Sequence, residues 1–416
     1  MISCDTQSGL LDVEDALKNM RSIVKINLES QNIHIRTAKN RVLAKPVKST
    51  IAVPNFDNSA MDGYAFFVQS TIVENTQFEV IGQALAGHPF NTELKVNQCI
   101  KIMTGAKIPN GANSVCMQEN VLFEDNKITL QTPCKHLQNI RKKGEDIQVD
   151  DVLFEKGHRL TSCDLSVLAS IGNSTVEVFE PITVALFSTG DELLDVDTQS
   201  ISDLKGSQIF ESNSFVLQSM LESFGVKVIN FGHIKDEEVA IEQAFLKAAE
   251  QADAIITTGG VSVGQADLTR KVLNKIAQMH FWKLAIKPGK PFTFGHLNQT
   301  QPIWIFALPG NPVSATVTMH QLVLPILKQA QFEQDKSCIH PAITTSKIKK
   351  RAGRKDYQRG HAYNKDGQLM VDVISGQGSG LMYGLSKANC FVVLDKDQSD
   401  IDIYQSVNIL WFDEYL

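Results

Sequence analysis

The chain has 416 residues, of which 43% are hydrophobic and 21% charged, a composition that excludes wholesale disorder and exceeds what one hydrophobic core usually organises. With 40 Lys and Arg against 46 Asp and Glu, the formal net charge of −6 gives no general reason to bind nucleic acid or an anionic membrane, so any anion site must be local. The cysteines at 4, 99, 116, 134, 163, 338 and 390 are odd in number and scattered, with no C-x-x-C pair, and read as free thiols rather than zinc ligands or a redox couple.

The opening MISCDTQSGLLDVEDALKNM has neither a basic start nor an apolar run of signal length. No run of apolar residues is long enough for a membrane span, so a cytoplasmic location is expected. Leu10, Leu11, Val13, Leu17, Met20, Ile23 and Val24 recur at helical spacing and predict an amphipathic helix of about four turns. From Val53 to near Ile140, runs such as QFEVIGQAL and QCIKIMTGA, punctuated by Gly, Pro and Asn, predict a small β-rich module. Over 181–330 the apolar strands ITVALFS, VKVINFGHI and ADAIITTGG alternate with helical stretches from Asn213 to Phe224 and Glu237 to Ala249. That alternation predicts a parallel sheet with helices on both faces. PFTFGHL and PIWIFAL, separated by the polar NQTQ, predict a hairpin at one side of the sheet. After Gln331, the pieces AITTSKIK, LMVDVISG, NCFVVLD and VNILWF predict a separate C-terminal β domain.

In open sheets of this class ligands sit beyond the carboxyl ends of the strands, and here those ends carry STGDEL, KDEE, TTGGVSVGQAD and LPGNPVSA. A glycine-rich turn leading into a helix offers unpaired N–H groups to a phosphate-like anion, although Gly259, Gly260 and Gly264 also suit a tight strand-to-helix turn. KLAIKPGKP places Lys283, Lys287 and Lys290 within eight residues, and if they converge rather than splay into water as surface lysines usually do, they imply a balancing anion. Asp191, Glu192, Asp236 and Asp267 line the same strand ends, where a hard cation such as Mg²⁺ would reconcile carboxylates with a bound polyanion. LPGNPVSA reads as a helix entry with Asn311 as N-cap and Pro312 at the first helical position. Upstream, Asp57, Asn58, Ser59 and Asp62 crowd one segment, Thr104 stands beside Gly105, and Arg141 and Asp146 flank Gly144; each also reads as polar turn chemistry. The basic run KIKKRAGRKDYQRG (347–360) holds a single tyrosine and reads as a solvated β face rather than a nucleic-acid patch.

In that order, FDNSAMDGYA, MTGAKIP, IRKKGEDI, STGDEL, TTGGVSVGQAD, FWKLAIKPGKPF, LPGNPVSA and GRKDYQRG resemble the MoeA family of molybdopterin molybdenumtransferases, to which the gephyrin E domain is also similar. The resemblance implies a multi-domain α/β chain. Its MogA-like three-layer α/β domain, with a parallel-rich sheet, would comprise 7–26 plus 177–330. A β-rich linking module would comprise 27–54 plus 145–176, a second small β-rich module 55–144, and a C-terminal β-barrel 335–416. It further implies an elongated homodimer with composite sites and a reaction that inserts molybdate into adenylylated molybdopterin, releasing AMP, with Mg²⁺ as cofactor. Carried across by motif, catalytic positions fall on Asp62, Thr104, Arg141, Glu192, Lys283 and Lys287. Substrate-binding positions fall on Asp146, Asp191, Gly259, Gly260, Ser262, Gly264, Asp267, Lys290, Pro309, Gly310, Asn311, Pro312, Arg359 and Ser379, and metal-binding positions on Glu192, Asp236 and Asp267. The resemblance implies no nucleic-acid or membrane partner, only transient contacts with other proteins of molybdenum-cofactor synthesis. Two departures stand out: Glu211 precedes Ser212-Asn213 where aspartate is common, and Phe66-Phe67 follows MDGYA where a smaller aliphatic residue is usual. Two competing readings are a molybdopterin adenylyltransferase, which the additional modules argue against, and a gephyrin-like scaffold that binds partner peptides.

Overall fold

The computed structural model describes residues 10–260, 268–281, 283–299, 301–332, 339–412 and 416. The N-terminal helix is shorter than its apolar spacing suggests. It spans Val13–Ile23, is capped by Asp12 accepting from the Glu14 N–H, and buries Val13, Ala16 and Met20. Leu10 and Leu11 precede it because strand-like pairing takes Leu11 instead. Leu11 bridges Leu284 in parallel, donating its N–H to Lys283 O at 3.3 Å and accepting from Ala285 N–H at 2.7 Å. The start of the chain therefore fixes the segment that carries the lysines.

The central sheet has the spatial order Lys227–Ile234, Thr183–Thr189, Ala254–Thr258, Ile303–Leu308, Thr293–Leu297, Ala277–Phe281. Its first four strands pair in parallel, and Ile303–Leu308 returns antiparallel along Thr293–Leu297 as the expected hairpin. The outermost strand, Ala277–Phe281, is not signalled in the sequence. AQMHF mixes polar and apolar residues and follows the helix Leu268–Ile276 with no turn residue between them. Side chains alternate across the sheet: Leu186, Ile256 and Phe306 pack with Leu217, Met220 and Val317, while Phe187, Ile255 and Ile305 pack with Ile241, Phe245 and Val272. Both faces are thus covered, as the strand–helix alternation requires. Each fully buried Phe, Leu or Ile contributes roughly 1.5–3 kcal/mol by transfer from water.

Upstream, a six-stranded sheet runs Ser114–Met117, Gly63–Phe66, Gln98–Ile102, Gln77–Ala84, Lys127–Leu130, Val121–Glu124, with Phe66, Phe78, Cys99, Cys116 and Ile128 in one of its cores. Segments from either side of it fold together. Ser30–His34 pairs with Thr175–Phe179, and the helix Ser162–Ser170, held by a Thr161/Asp164 capping box, closes a core of Leu43, Leu160, Leu168 and Val178.

At the C-terminal end, Lys355–Lys365, Gln368–Val373, Ile339–Thr344, Ser406–Trp411 and Cys390–Leu394 pair in a ring that closes back on Lys355–Lys365, a five-stranded barrel. The basic run is only partly a solvated face: Lys347, Lys349 and Arg351 are exposed, but its later half is not. Lys350, Asp356, Gln358 and Arg359 within it are all buried, each with hydrogen-bond partners that make the burial tolerable. Cys99, Cys116, Cys134, Cys163 and Cys390 are free thiols, while Cys4 and Cys338 lie outside the described residues. Among the described residues no helix is long and apolar enough to cross a membrane.

Gly63 illustrates how tightly the upstream sheet is built, since a Cβ there would stand 1.9 Å from Cys116 O on the neighbouring strand. Gly63→Ala is expected to destabilise this sheet by about 1–3 kcal/mol. Hydrogen exchange should show faster exchange across Gly63–Leu130, with the Thr183–Leu308 sheet unchanged.

Candidate active site

Along one edge of the central sheet, the strand ends feed loops that begin at Gly190, Lys235, Gly259 and Pro309. These loops touch. A Cβ on Gly259, whose φ is +87°, would lie 2.2 Å from Thr189 O, and one on Gly310 would lie 3.5 Å from the Gly259 Cα. Close packing and a left-handed backbone therefore account for Gly259 and Gly260 without any ligand, and the same packing brings three backbone walls to one rim. Ser262, Gly264 and Asp267 lie outside the described residues.

Behind this rim stands a residue that motif reasoning did not include among the site positions. Asn213 opens the helix Asn213–Ser223, is 7% exposed, and donates its Nδ2–H to Gly310 O at 2.8 Å. Its Oδ1 is buried without a hydrogen-bond partner, an arrangement that leaves an acceptor waiting for a donor. The available signal was its place in the Ser-Asn pair beside Glu211, which accepts from Ser214 N–H at 2.9 Å and from the Ser214 hydroxyl.

Asn311 occupies the N-cap position of the helix Pro312–Thr318, but its side chain makes no capping bond, contrary to the expected cap. The need is met elsewhere, because the Val313 N–H donates to Ser379 O at 3.0 Å. Pro312 sits at the first helical position as expected, Pro309 is buried, and Gly310 and Asn311 are exposed. Arg359, placed among the substrate binders by motif, is 1% exposed and committed within the protein. It donates to Leu381 O at 2.6 Å, Gly376 O at 2.7 Å and Gly378 O at 3.2 Å. Its guanidinium thereby shapes the loop that presents Ser379 to the rim.

Three carboxylates gather at the first two strand ends. The Asp236 N–H donates to Asp191 Oδ1 at 3.2 Å, and Glu192 folds back so closely that a Cβ on Gly190 would meet its Oε2 at 2.7 Å. Burial, and then the charges of Asp191 and Glu192, push the Asp236 carboxyl above its ordinary value. His233 donates Nε2–H to Gly190 O at 2.7 Å and braces the turn. Among the described residues no three His, Cys, Asp or Glu side chains close on a single metal position.

Lys283 and Lys290 are exposed at the neck of a loop that the Leu284 N–H closes onto Lys290 O at 2.9 Å. Lys287 differs. Ile286–Lys287 lies parallel to Lys355–Asp356 of the barrel, and Lys287 Nζ stands 2.8 Å from Asp356 Oδ2. A clustered lysine that sequence reasoning balanced with an external anion thus has a counter-ion inside the protein.

The remaining motif residues sit in the upstream modules. Asp62 Oδ1 accepts from both the N–H and the hydroxyl of Thr104, each at 2.7 Å, and these bonds hold its carboxyl below the usual range. Asp57 accepts from Lys142 Nζ at 2.7 Å and Lys143 N–H at 2.8 Å. Burial raises the Asp57 carboxyl, but these bonds more than offset it. Arg141 is exposed opposite Asn58 on paired strands, and Asp146 is exposed beside Val53. Among the described residues no hydrogen bond or ion pair joins the Asp62 group to the rim of the central sheet.

The chain matches three family models: the MoeA N-terminal region (domain I and II) over residues 11–172, a probable molybdopterin binding domain over 185–329, and the MoeA C-terminal region (domain IV) over 341–411. It is 42% identical over 411 residues to a molybdopterin molybdenumtransferase of Haemophilus influenzae, covering 98% of this chain and 100% of that one. It is 31% identical over 360 residues to a gephyrin of Dictyostelium discoideum, covering 77% of this chain and 50% of that one. A crystal structure of a molybdopterin biosynthesis MoeA protein from Pyrococcus horikoshii superposes with a TM-score of 0.84 at 28% identity, covering 97% of this chain and 100% of that one.

The Asp62–Thr104 pair generates a titration test. A carboxylate whose pKa is depressed on folding stabilises the protein above its unfolded pKa and loses that contribution as pH falls through the folded pKa. Thr104→Val should therefore raise the Asp62 midpoint toward the ordinary value of about 3.9, read by carbon-detected NMR of labelled aspartate. An unmoved midpoint would remove the Thr104 hydroxyl as a cause, the backbone N–H being kept in the variant.

Proposed function

The chain belongs to the MoeA family of molybdopterin molybdenumtransferases, and from that premise we propose that it inserts molybdate into adenylylated molybdopterin, releasing AMP and the molybdenum cofactor. The observation that carries this reading is the convergence on one rim. Gly259 packs against Thr189 at the end of one strand and against Gly310 at the end of another, and the Ser379 loop docks on the helix behind Gly310. Such a rim, with lysines on the nearby Lys283–Lys290 loop, suits a tetrahedral oxyanion beside a diphosphate ester.

In this reading Lys287 and Lys283 hold the phosphate and molybdate oxygens, while the rim amides and Ser379 orient them. Asn213 Oδ1 accepts from an N–H of the bound pterin. Holding both reactants fixed converts a two-body encounter into a local one, and preorganised donors stabilise the charge that builds during exchange at the metal oxyanion. Molybdate is substrate here, and no protein nucleophile is required.

Asp191, Glu192 and Asp236 stand at adjoining strand ends without closing on one point, and one or two of them would suffice for a Mg²⁺ ion, which takes only one or two protein oxygens. Asp267, outside the described residues, is the further candidate ligand. When bound, the ion supplies charge neutralisation for the diphosphate.

Asp62, Thr104 and Arg141 belong to the upstream β-rich module, and among the described residues no hydrogen bond or ion pair joins them to the rim; in this reading a second copy provides them to a composite site. The reading therefore includes a cytoplasmic homodimer. The adenylyltransferase alternative leaves residues 11–172 and 341–411 without a role.

Purified protein given adenylylated molybdopterin, Mg²⁺ and molybdate should release AMP, measured chromatographically. Lys287→Ala and Asp62→Ala should each slow release by about a hundredfold while the protein remains folded, the Asp62 variant melting slightly lower for loss of its two hydrogen bonds to Thr104. Wild-type turnover in both variants, or a strictly monomeric active enzyme by sizing, would contradict the assignment.

A further inference from the structure

The partner of Lys287 is itself unusually placed. Asp356 is a buried carboxylate, its side chain 4% exposed, whereas the Lys287 side chain is 43% exposed. Gln358 Nε2 also donates to Asp356 Oδ2, at 3.2 Å, and to Lys349 O at 3.1 Å, tying the carboxylate to the turn that precedes it. The next residue in that turn, Lys350, is 4% exposed. Among the described residues its ammonium donates to carbonyls alone, those of Arg354 at 3.0 Å, Gln398 at 3.2 Å and Arg351 at 3.4 Å.

A buried ammonium satisfied by dipoles alone still needs a counter-charge nearby. Burial pushes the Lys350 ammonium down; Asp356 is the strongest charge opposing that, Lys287 adds to the depression, and Asp395 and Asp397 oppose it more weakly. Asp356 thus pairs directly with the solvent-reaching Lys287, and through Gln358 and the Lys349 carbonyl it adjoins the turn that encloses Lys350. A simple buried ion pair would resist losing its exposed partner, because the remaining charge would stand uncompensated. The second lysine removes that obstacle.

Resting on the assignment of Lys287 to oxyanion holding, we propose that Asp356 is a shared counter-ion: it parks Lys287 when the cleft is empty and is neutralised by Lys350 when molybdate or phosphate draws Lys287 away. Lys350 and Asp356 are positioning residues in this scheme and touch no substrate.

The test is the molybdate KM and kcat of four proteins: wild type, Asp356→Asn, Lys350→Gln and the double variant. Without Lys350 the carboxylate should grip Lys287 and raise the molybdate KM about tenfold, and removing the carboxylate should lower KM several-fold in both backgrounds, a coupling of about the size measured for neighbouring charges. A Lys350→Gln defect that persists unchanged beside Asp356→Asn, or a raised KM in Asp356→Asn alone, overturns the proposal. If Lys350→Gln fails to fold, amine labelling read by mass spectrometry serves instead. Lys287 should react faster in Asp356→Asn than in wild type without molybdate, and equal rates would refute the parked state. Lys287→Ala run in parallel separates the two levels. Normal turnover there overturns the assignment of Lys287, whereas impaired turnover with unaltered KM in the other variants overturns only the shared counter-ion.

Discussion

The two-residue parallel ladder between Ile286–Lys287 and Lys355–Asp356 is the constraint on which the cleft depends. It joins the α/β core to the barrel through backbone hydrogen bonds, which are directional and therefore set an orientation that apolar packing alone would leave loose. Leu284 and Ile286 are fully buried on one side of the joint, and Tyr357 and Phe391 contribute to the same continuous core from the other. Burial supplies the energy, and the ladder supplies the register that places a lysine opposite a carboxylate. Leu11 extends the arrangement by bridging Leu284, so the first and last thirds of the chain meet at the lysine segment.

From that joint the rest of the site follows outward. The barrel strand that carries Asp356 also carries Arg359, which fastens the loop from Gly376 to Leu381, and that loop returns Ser379 O to the Val313 N–H behind Gly310. A single strand therefore positions a cation on one side and a backbone wall on the other. The close contacts of Gly259 with Thr189 and of Gly310 with Gly259 finish the rim. In this chain the C-terminal barrel holds Lys287 and the Ser379 loop, and under the proposed function that gives the barrel a part in the site.

Much of this was readable in the residues, and the failures have identifiable causes. Apolar runs bounded by helical stretches specify the parallel sheet, because a strand buried on both faces must be apolar throughout. The hairpin was legible for the same reason. Ala277–Phe281 was not, since an edge strand tolerates Gln278 and His280 and so loses the apolar signal. The longest barrel strand, Lys355–Lys365, overlaps a basic run that reads as β but as solvent-facing, because charge normally marks solvent and only tertiary partners reveal that Asp356 and Arg359 are enclosed. The pairing of Lys287 with Asp356 spans 69 positions, and no local pattern announces it. At the candidate site, the motifs fall on loops that lie along one rim, but they do not announce what each side chain contacts. Asn311 looked like a cap and is not one, Arg359 looked like a ligand contact and is committed to carbonyls, and Asn213 was passed over.

The account's central claim is that the oxyanion lies where the lysine segment, the Ser379 loop and the strand-end rim meet. Anomalous diffraction at the molybdenum absorption edge, from crystals grown with molybdate and AMP, tests this directly. The account predicts one strong peak at that junction, with the Lys287 ammonium turned from Asp356 toward it. A peak elsewhere on the molecule, or Lys287 still paired with Asp356 beside an ordered molybdate, would contradict it.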